Sequence, residues 1–158
     1  MIRKVISLIL AGMLLCGCSS LSSRGSASNT IATSDEATEL VKALNLSDMT
    51  KVKDRIVLGM VFNGDRKAYS EGTMYRSSDK TNADTVAVFR TSDPTSCMKY
   101  VTEYLSSQKD EIETNYPTEV FKVSNAVLEH NDSMVVLVIC ENIENARKSA
   151  DALLGISS

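Results

Sequence analysis

The chain has 158 residues, enough for one domain plus terminal segments, and 43% of them are hydrophobic, so a core can form although tryptophan is absent. Its formal charge of -3 becomes -5 once Arg3 and Lys4 are removed. That acidic balance argues against nucleic acid as a partner, because a phosphate backbone asks for clustered Lys and Arg.

The chain opens MIRKVISLILAGMLLCGCSS. Arg3 and Lys4 make a positive n-region, and residues 5–15 an apolar run of the length of a secretion signal, too short to span a bilayer. Leu15-Cys16-Gly17-Cys18 follows and resembles the lipobox of bacterial lipoproteins, with the small Gly17 before the cysteine that receives diacylglycerol. Cys18 is therefore the expected lipid attachment site and Cys16 leaves with the signal. A CxC metal or redox site would need partners, and the rest of the chain offers only Cys97, Cys140 and His130. The expected organisation is a signal peptide over residues 1–17, a flexible Ser-rich tether over 18–32, and one α/β domain over 33–158. The domain would sit on the outer face of the bacterial cytoplasmic membrane, held by lipid on Cys18.

Thr33 and Glu36 match a capping box, with Leu40, Val41 and Leu44 as the apolar stripe of a first helix. Residues 48–60 fit a helix by the spacing of Met49, Val52, Ile56 and Met60, and fit a strand by IVLGMVF. Asn63-Gly64-Asp65 is a turn. Residues 68–77 read as a partly exposed strand and 83–90 (ADTVAVFR) as a more central one. Asp93-Pro94 opens the clearest helix, whose inner face holds Met98, Val101, Leu105 and Ile112, and Asn115-Tyr116-Pro117 ends it. Residues 119–129 and 133–140 read as two strands in a hairpin. Asn142 caps a last helix with Ile143, Ala146, Ala150 and Leu153 inward and Gly155 as its stop. The β-β-α-β-β-α order predicts an α+β domain: an antiparallel sheet of about four strands with helices packed on one face.

The sequence carries no G-x-S-x-G, no glycine-rich phosphate loop and no H-E-x-x-H, and its single histidine, His130, falls in the hairpin turn. No catalytic residue, metal or cofactor is expected. Cys97 and Cys140 read first as two buried thiols, with a disulfide as the alternative that export would permit. Tyr75, Arg76, Arg90, Tyr116 and Glu119 flank the ends of predicted elements and form the candidate binding surface, because Tyr and Arg anchor interfaces well. Each also has a plain structural use. Tyr116 in particular can point outward at the surface or inward as a lid on the core.

Taken together, the lipobox, the stretch YSEGTMYRSSDKTNADTVAVFR, a polar helix, and NYPTEVFKVSNAVLEHNDSMVVLVIC resemble the bacterial lipoproteins of the domain-of-unknown-function family 4358, found mainly in Firmicutes. The resemblance covers roughly residues 48–153 and rests on the order and spacing of these elements. It implies export and an α/β domain but no mechanism. The expected function is a non-catalytic binding or interaction domain on the membrane, its partner an envelope protein or small ligand. The alternatives are a small envelope hydrolase and a structural accessory subunit.

Overall fold

The structure is a computed structural model that describes residues 31–156. Cys18, the signal segment and nearly all of the expected tether lie outside the described residues. Five strands, β1 (Met49–Lys51), β2 (Glu71–Ser77), β3 (Thr85–Arg90), β4 (Val127–His130) and β5 (Met134–Ile139), form one sheet in the order β1-β2-β3-β5-β4. Every neighbouring pair is antiparallel. Five helices accompany it: α1 (Thr33–Ala43), α2 (Asp54–Met60), α3 (Pro94–Asn115), α4 (Val120–Ser124) and α5 (Ile143–Leu154).

The α+β class and the antiparallel sheet are as expected, but the helices cover both faces rather than one. Alternate residues of the central strands separate into two cores. Met74, Ala87, Phe89, Val135, Leu137 and Ile139 pack under α2, α3 and α4. Val86, Val88, Val136 and Val138 pack under α1 and α5. The cause is visible in β3 and β5, whose interior residues are apolar on both sides of the pleat. A strand that does not alternate polar with apolar must be covered twice.

The ambiguous residues 48–60 divide into both alternatives, the short edge strand β1 followed by α2. Residues 119–129, read as one strand, instead form a 3-10 turn (Pro117–Glu119), α4 and only then β4. VFKV has strand-like composition, yet Lys122 reaches Glu119 at 2.9 Å, a contact of helical spacing that an extended chain would not make. The capping box does not form either. Ala32 is the N-cap of α1, and Thr33 donates through its backbone N–H (2.9 Å) and hydroxyl (3.0 Å) to Glu71 on the sheet. Glu36 accepts from Arg90 of β3. Both signature residues are used to dock α1, not to cap it.

The other helix boundaries follow the sequence closely. Asp93 accepts from the Ser96 N–H at 3.0 Å, with Pro94 in the first turn of α3, and Tyr116 closes that helix. Asn142 accepts from the Asn145 N–H at 3.0 Å, and Gly155 ends α5 at φ 68°, the left-handed conformation that glycine adopts without strain. Cys97 and Cys140 are free and buried. They belong to the cores on opposite sides of the sheet, so the disulfide alternative is excluded by geometry: the sheet itself stands between them. Among the described residues no helix is long and apolar enough to cross a membrane.

Candidate functional site

The five residues of the candidate surface do not converge on one place. Tyr75 and Arg76 are neighbours on β2 and so point to opposite faces. Tyr75 goes to the α1 side, where its hydroxyl lies 3.1 Å from that of Thr38. Arg90 lies at the far end of β3, where it binds Glu36 and donates to the Ile31 carbonyl at 2.7 Å, fastening the start of α1 to the sheet. Glu119 accepts from the Ala83 N–H at 3.0 Å and pairs with Lys122, which also bonds Asp84 at 3.0 Å. Burial pushes the Glu119 carboxyl up, but the Ala83 N–H and the Lys122 ammonium outweigh it and hold it below the usual carboxylate value. These three residues serve the fold.

Arg76 and Tyr116 do meet. They line a cavity of about 330 Å³ together with Asp79, Lys80, Asn82 and Glu111. Three elements bring them there. Pairing of β2 with β1 and β3 fixes Arg76 opposite Thr50 and Thr85. The β2–β3 turn carries residues 79–82, held by the Asp79 carboxylate accepting from the Thr81 N–H at 2.9 Å. The last turns of α3 supply Glu111 and Tyr116, the latter half-buried with its ring against the core.

The electrostatics of Arg76 set it apart. Its guanidinium is half-buried, and its partners are neutral: Gln108 Oε1 at 2.9 Å and Met60 Sδ at 3.7 Å. Among the described residues neither Arg76 nor Lys80 forms a salt bridge. The carboxylates of Asp79 and Glu111 line the same cavity without forming an ion pair with Arg76. Nearby, Tyr104 has a buried hydroxyl with no hydrogen-bond partner among the described residues. Burial pushes its phenol up to about 12, with Arg76 close enough to draw it down slightly and Glu111 to raise it. It is a neutral donor at any physiological pH.

Such a site can bind an anionic group through a rigid guanidinium fork, with Tyr116 as an aromatic wall. It holds no nucleophile beside a base. Ser77 lies in the cavity, but His130 pairs with Val135 at the opposite end of the sheet, where its Nδ1 lies 3.3 Å from the Asn131 carbonyl. Among the described residues no cluster of three or more His, Cys, Asp or Glu could hold a metal. Sequence reasoning named Arg76 and Tyr116 but missed Lys80, Asn82, Gln108 and Glu111. The first two sit in SSDKTN, which reads as a plain polar turn, and the others on a helix face that reads as solvated.

The model of a protein family described as a domain of unknown function, DUF4358, matches residues 42–140, which include Arg76, Lys80, Glu111 and Tyr116. No curated protein and no solved structure matches the chain.

Proposed function

The chain belongs to the DUF4358 family, and on that footing we propose that it is a lipid-anchored extracytoplasmic binding domain. Cys18 carries the lipid, residues 18–32 are the tether, and the domain holds its ligand in the Arg76–Tyr116 cavity without catalysing a reaction. The observation that carries this reading is the half-buried Arg76 guanidinium, bonded among the described residues to Gln108 and Met60 and opening on a cavity. A guanidinium that opens on a cavity without a direct ion pair is free to bind an anionic ligand group. The hydrolase alternative asks for an oriented base beside a nucleophile, whereas the chain's single histidine stands at the other end of the sheet. The anchor rests on Leu15-Cys16-Gly17-Cys18 behind a basic n-region and a short apolar run.

Two measurements test this reading. Intact mass of the protein from the membrane fraction should show a diacylglyceryl cysteine at residue 18 and loss of residues 1–17. Recovery of Cys18→Ser as the same acylated species refutes the anchor. Capture from envelope extract with the full chain as bait should fail for Arg76→Gln and persist for Lys148→Ala on α5, with matching circular-dichroism melts. Capture that ignores Arg76→Gln removes the cavity from the proposal.

A further inference from the structure

The cavity beside Arg76 holds both signs of charge. Arg76 and Lys80 line it together with the carboxylates of Asp79 and Glu111, and among the described residues none of the four forms a salt bridge. Other charged hollows differ. Cations without a carboxylate line the cavity at Arg66 and Lys67 and the one at Lys51 and Lys53. In the cavity at Lys122, that ammonium is already paired with Asp84 at 3.0 Å.

A buried side chain bridges the two central charges. Gln108 accepts from Arg76 Nη2 through Oε1 at 2.9 Å and donates through Nε2 to Glu111 Oε2 at 3.3 Å. Only this orientation of the carboxamide serves both partners, oxygen toward the donor and nitrogen toward the acceptor. The guanidinium and the carboxylate thus stand on two sides of one amide, close but unpaired. Each keeps bonding capacity for the cavity: the guanidinium has more N–H donors than Gln108 and Met60 use, and the carboxylate more lone pairs than Gln108 uses. A simple oxyanion on Arg76 would meet two carboxylates, and a simple cation on Glu111 would meet Arg76 and Lys80. Like charges brought together in this way cost binding. A ligand with an anionic and a cationic head a short distance apart avoids both penalties. In an α-amino acid the two heads stand on one carbon, a spacing close to that between the oxygen and nitrogen of the amide that bridges Arg76 and Glu111. Such a ligand takes one charge of each sign and leaves Asp79 and Lys80, both exposed on the β2–β3 turn, to solvent. The volume of about 330 Å³ is at the small end for a ligand pocket and suits one amino acid. The ring of Tyr116 is the wall for its side chain.

We propose that the cavity binds the zwitterionic head of an α-amino acid, its carboxylate on Arg76 and its ammonium on Glu111, with Gln108 spacing the two. The inference rests on the binding reading above and names the ligand class. The head can come from a free amino acid or be borne at the end of a side chain on a larger envelope molecule, and the experiment has an arm for each source.

The full chain in phosphatidylcholine vesicles is dialysed against an equimolar millimolar mixture of free L- and D-amino acids, and those retained are identified by mass spectrometry. Each is then titrated by calorimetry beside its N-acetyl and its carboxamide derivative. Both derivatives should bind at least about tenfold more weakly, because each lacks one charged head. Arg76→Gln and Glu111→Gln should each weaken binding by about the same factor with melts like the parent's, while Lys148→Ala changes nothing. Material captured from envelope extract should be displaced by the same mixture if the head is borne on a larger molecule. Retention of no amino acid, with capture that the mixture does not displace, overturns the proposal. An N-acetyl derivative that binds as tightly as its amino acid reduces the ligand to a plain anion and overturns the zwitterion. That arm uses the parent protein, so it stands whether or not a variant folds. Glu111→Gln without effect overturns the seat of the ammonium. Envelope capture that depends on Arg76 but ignores the amino acids overturns this ligand class and leaves the binding site standing.

Discussion

Glu119 and Glu36 are both partly buried carboxylates facing a cation, yet they couple folding to pH with opposite signs. Glu119 is held below its ordinary 4.5: burial raises it, but the Ala83 N–H and Lys122 lower it more. The unfolded chain therefore takes up this proton first. The contact stabilises the fold above pH 4.5 and is lost as pH falls through the lower folded value. Glu36 is raised above 4.5, by burial first, despite Arg90. Its contribution is complete below pH 4.5 and is lost as pH rises through the folded value. Urea melts between pH 3.5 and 6 should therefore show a flatter acid limb for Glu119→Gln than for the parent. An unchanged limb would remove Glu119 from the network that ties α4 to the β2–β3 connection. The thiols give a second check at this scale. Burial pushes Cys97 up to about 12, with Asp93 adding to it, and only the thiolate alkylates. Iodoacetamide at pH 8 should leave Cys97 unmodified in the native protein and label Cys97 and Cys140 after denaturation without reductant. A mass 2 Da lower with both cysteines blocked would mean that they pair. Tyr116 combines the two orientations open to it in the sequence, half-buried against the core while lining the cavity. Tyr116→Ala should cost about 1–2 kcal/mol, between a surface change and a fully buried aromatic, and Tyr116→Phe almost nothing.

Among the elements, the caps were the most legible feature and the short apolar segments the least. Asp93-Pro94 and Asn142 determine where α3 and α5 begin through local chemistry alone, since each side chain accepts from a backbone N–H three residues on. Asp93→Ala and Asn142→Ala should each cost about 1 kcal/mol in a denaturant melt. The T-x-x-E signature at Thr33 misleads because Thr33 and Glu36 find better partners across the fold, in Glu71 and Arg90. VFKV misleads because tertiary packing, with Val123 buried in the core and Val120 against it, overrides strand-like composition. The sheet adds a steric test. A Cβ at Gly72 would lie 2.6 Å from a ring carbon of Phe89 and 3.1 Å from one of Tyr69, so backbone and aromatics are in close contact there. Those rings belong to a cluster in which Phe62 stacks on Tyr69 at 4.3 Å and meets Phe89 edge-on at 4.9 Å. Gly72→Ala should therefore destabilise by roughly 1–3 kcal/mol. A neutral result would mean that the cluster repacks freely.

At the scale of the whole molecule, both covered faces of the sheet were written in the sequence, in the unbroken apolar runs TVAVF and MVVLVI, but a β-β-α-β-β-α order points equally to a one-sided sheet. The cavity was only half legible. Tyr and Arg at element ends identify Arg76 and Tyr116, while Lys80 comes from the β2–β3 turn and Gln108 and Glu111 reach Arg76 only when α3 docks on the sheet, which no local pattern encodes. Conversely, Arg90 looks like a binding residue until its neighbours Glu36, Glu71 and Ile31 are in place. The Arg76–Tyr116 cavity is the proposed point of contact on this acidic chain. The most direct test of that cavity as the point of contact is photo-cross-linking in intact cells. Benzoylphenylalanine is placed at exposed Thr81, on the turn that carries Lys80, or at exposed Lys148 on α5. The account predicts an adduct from Thr81, none from Lys148, and loss of the Thr81 adduct when Arg76→Gln is added to a chain that still melts like the parent. A Thr81 adduct indifferent to Arg76→Gln, or equal adducts from both positions, would contradict it.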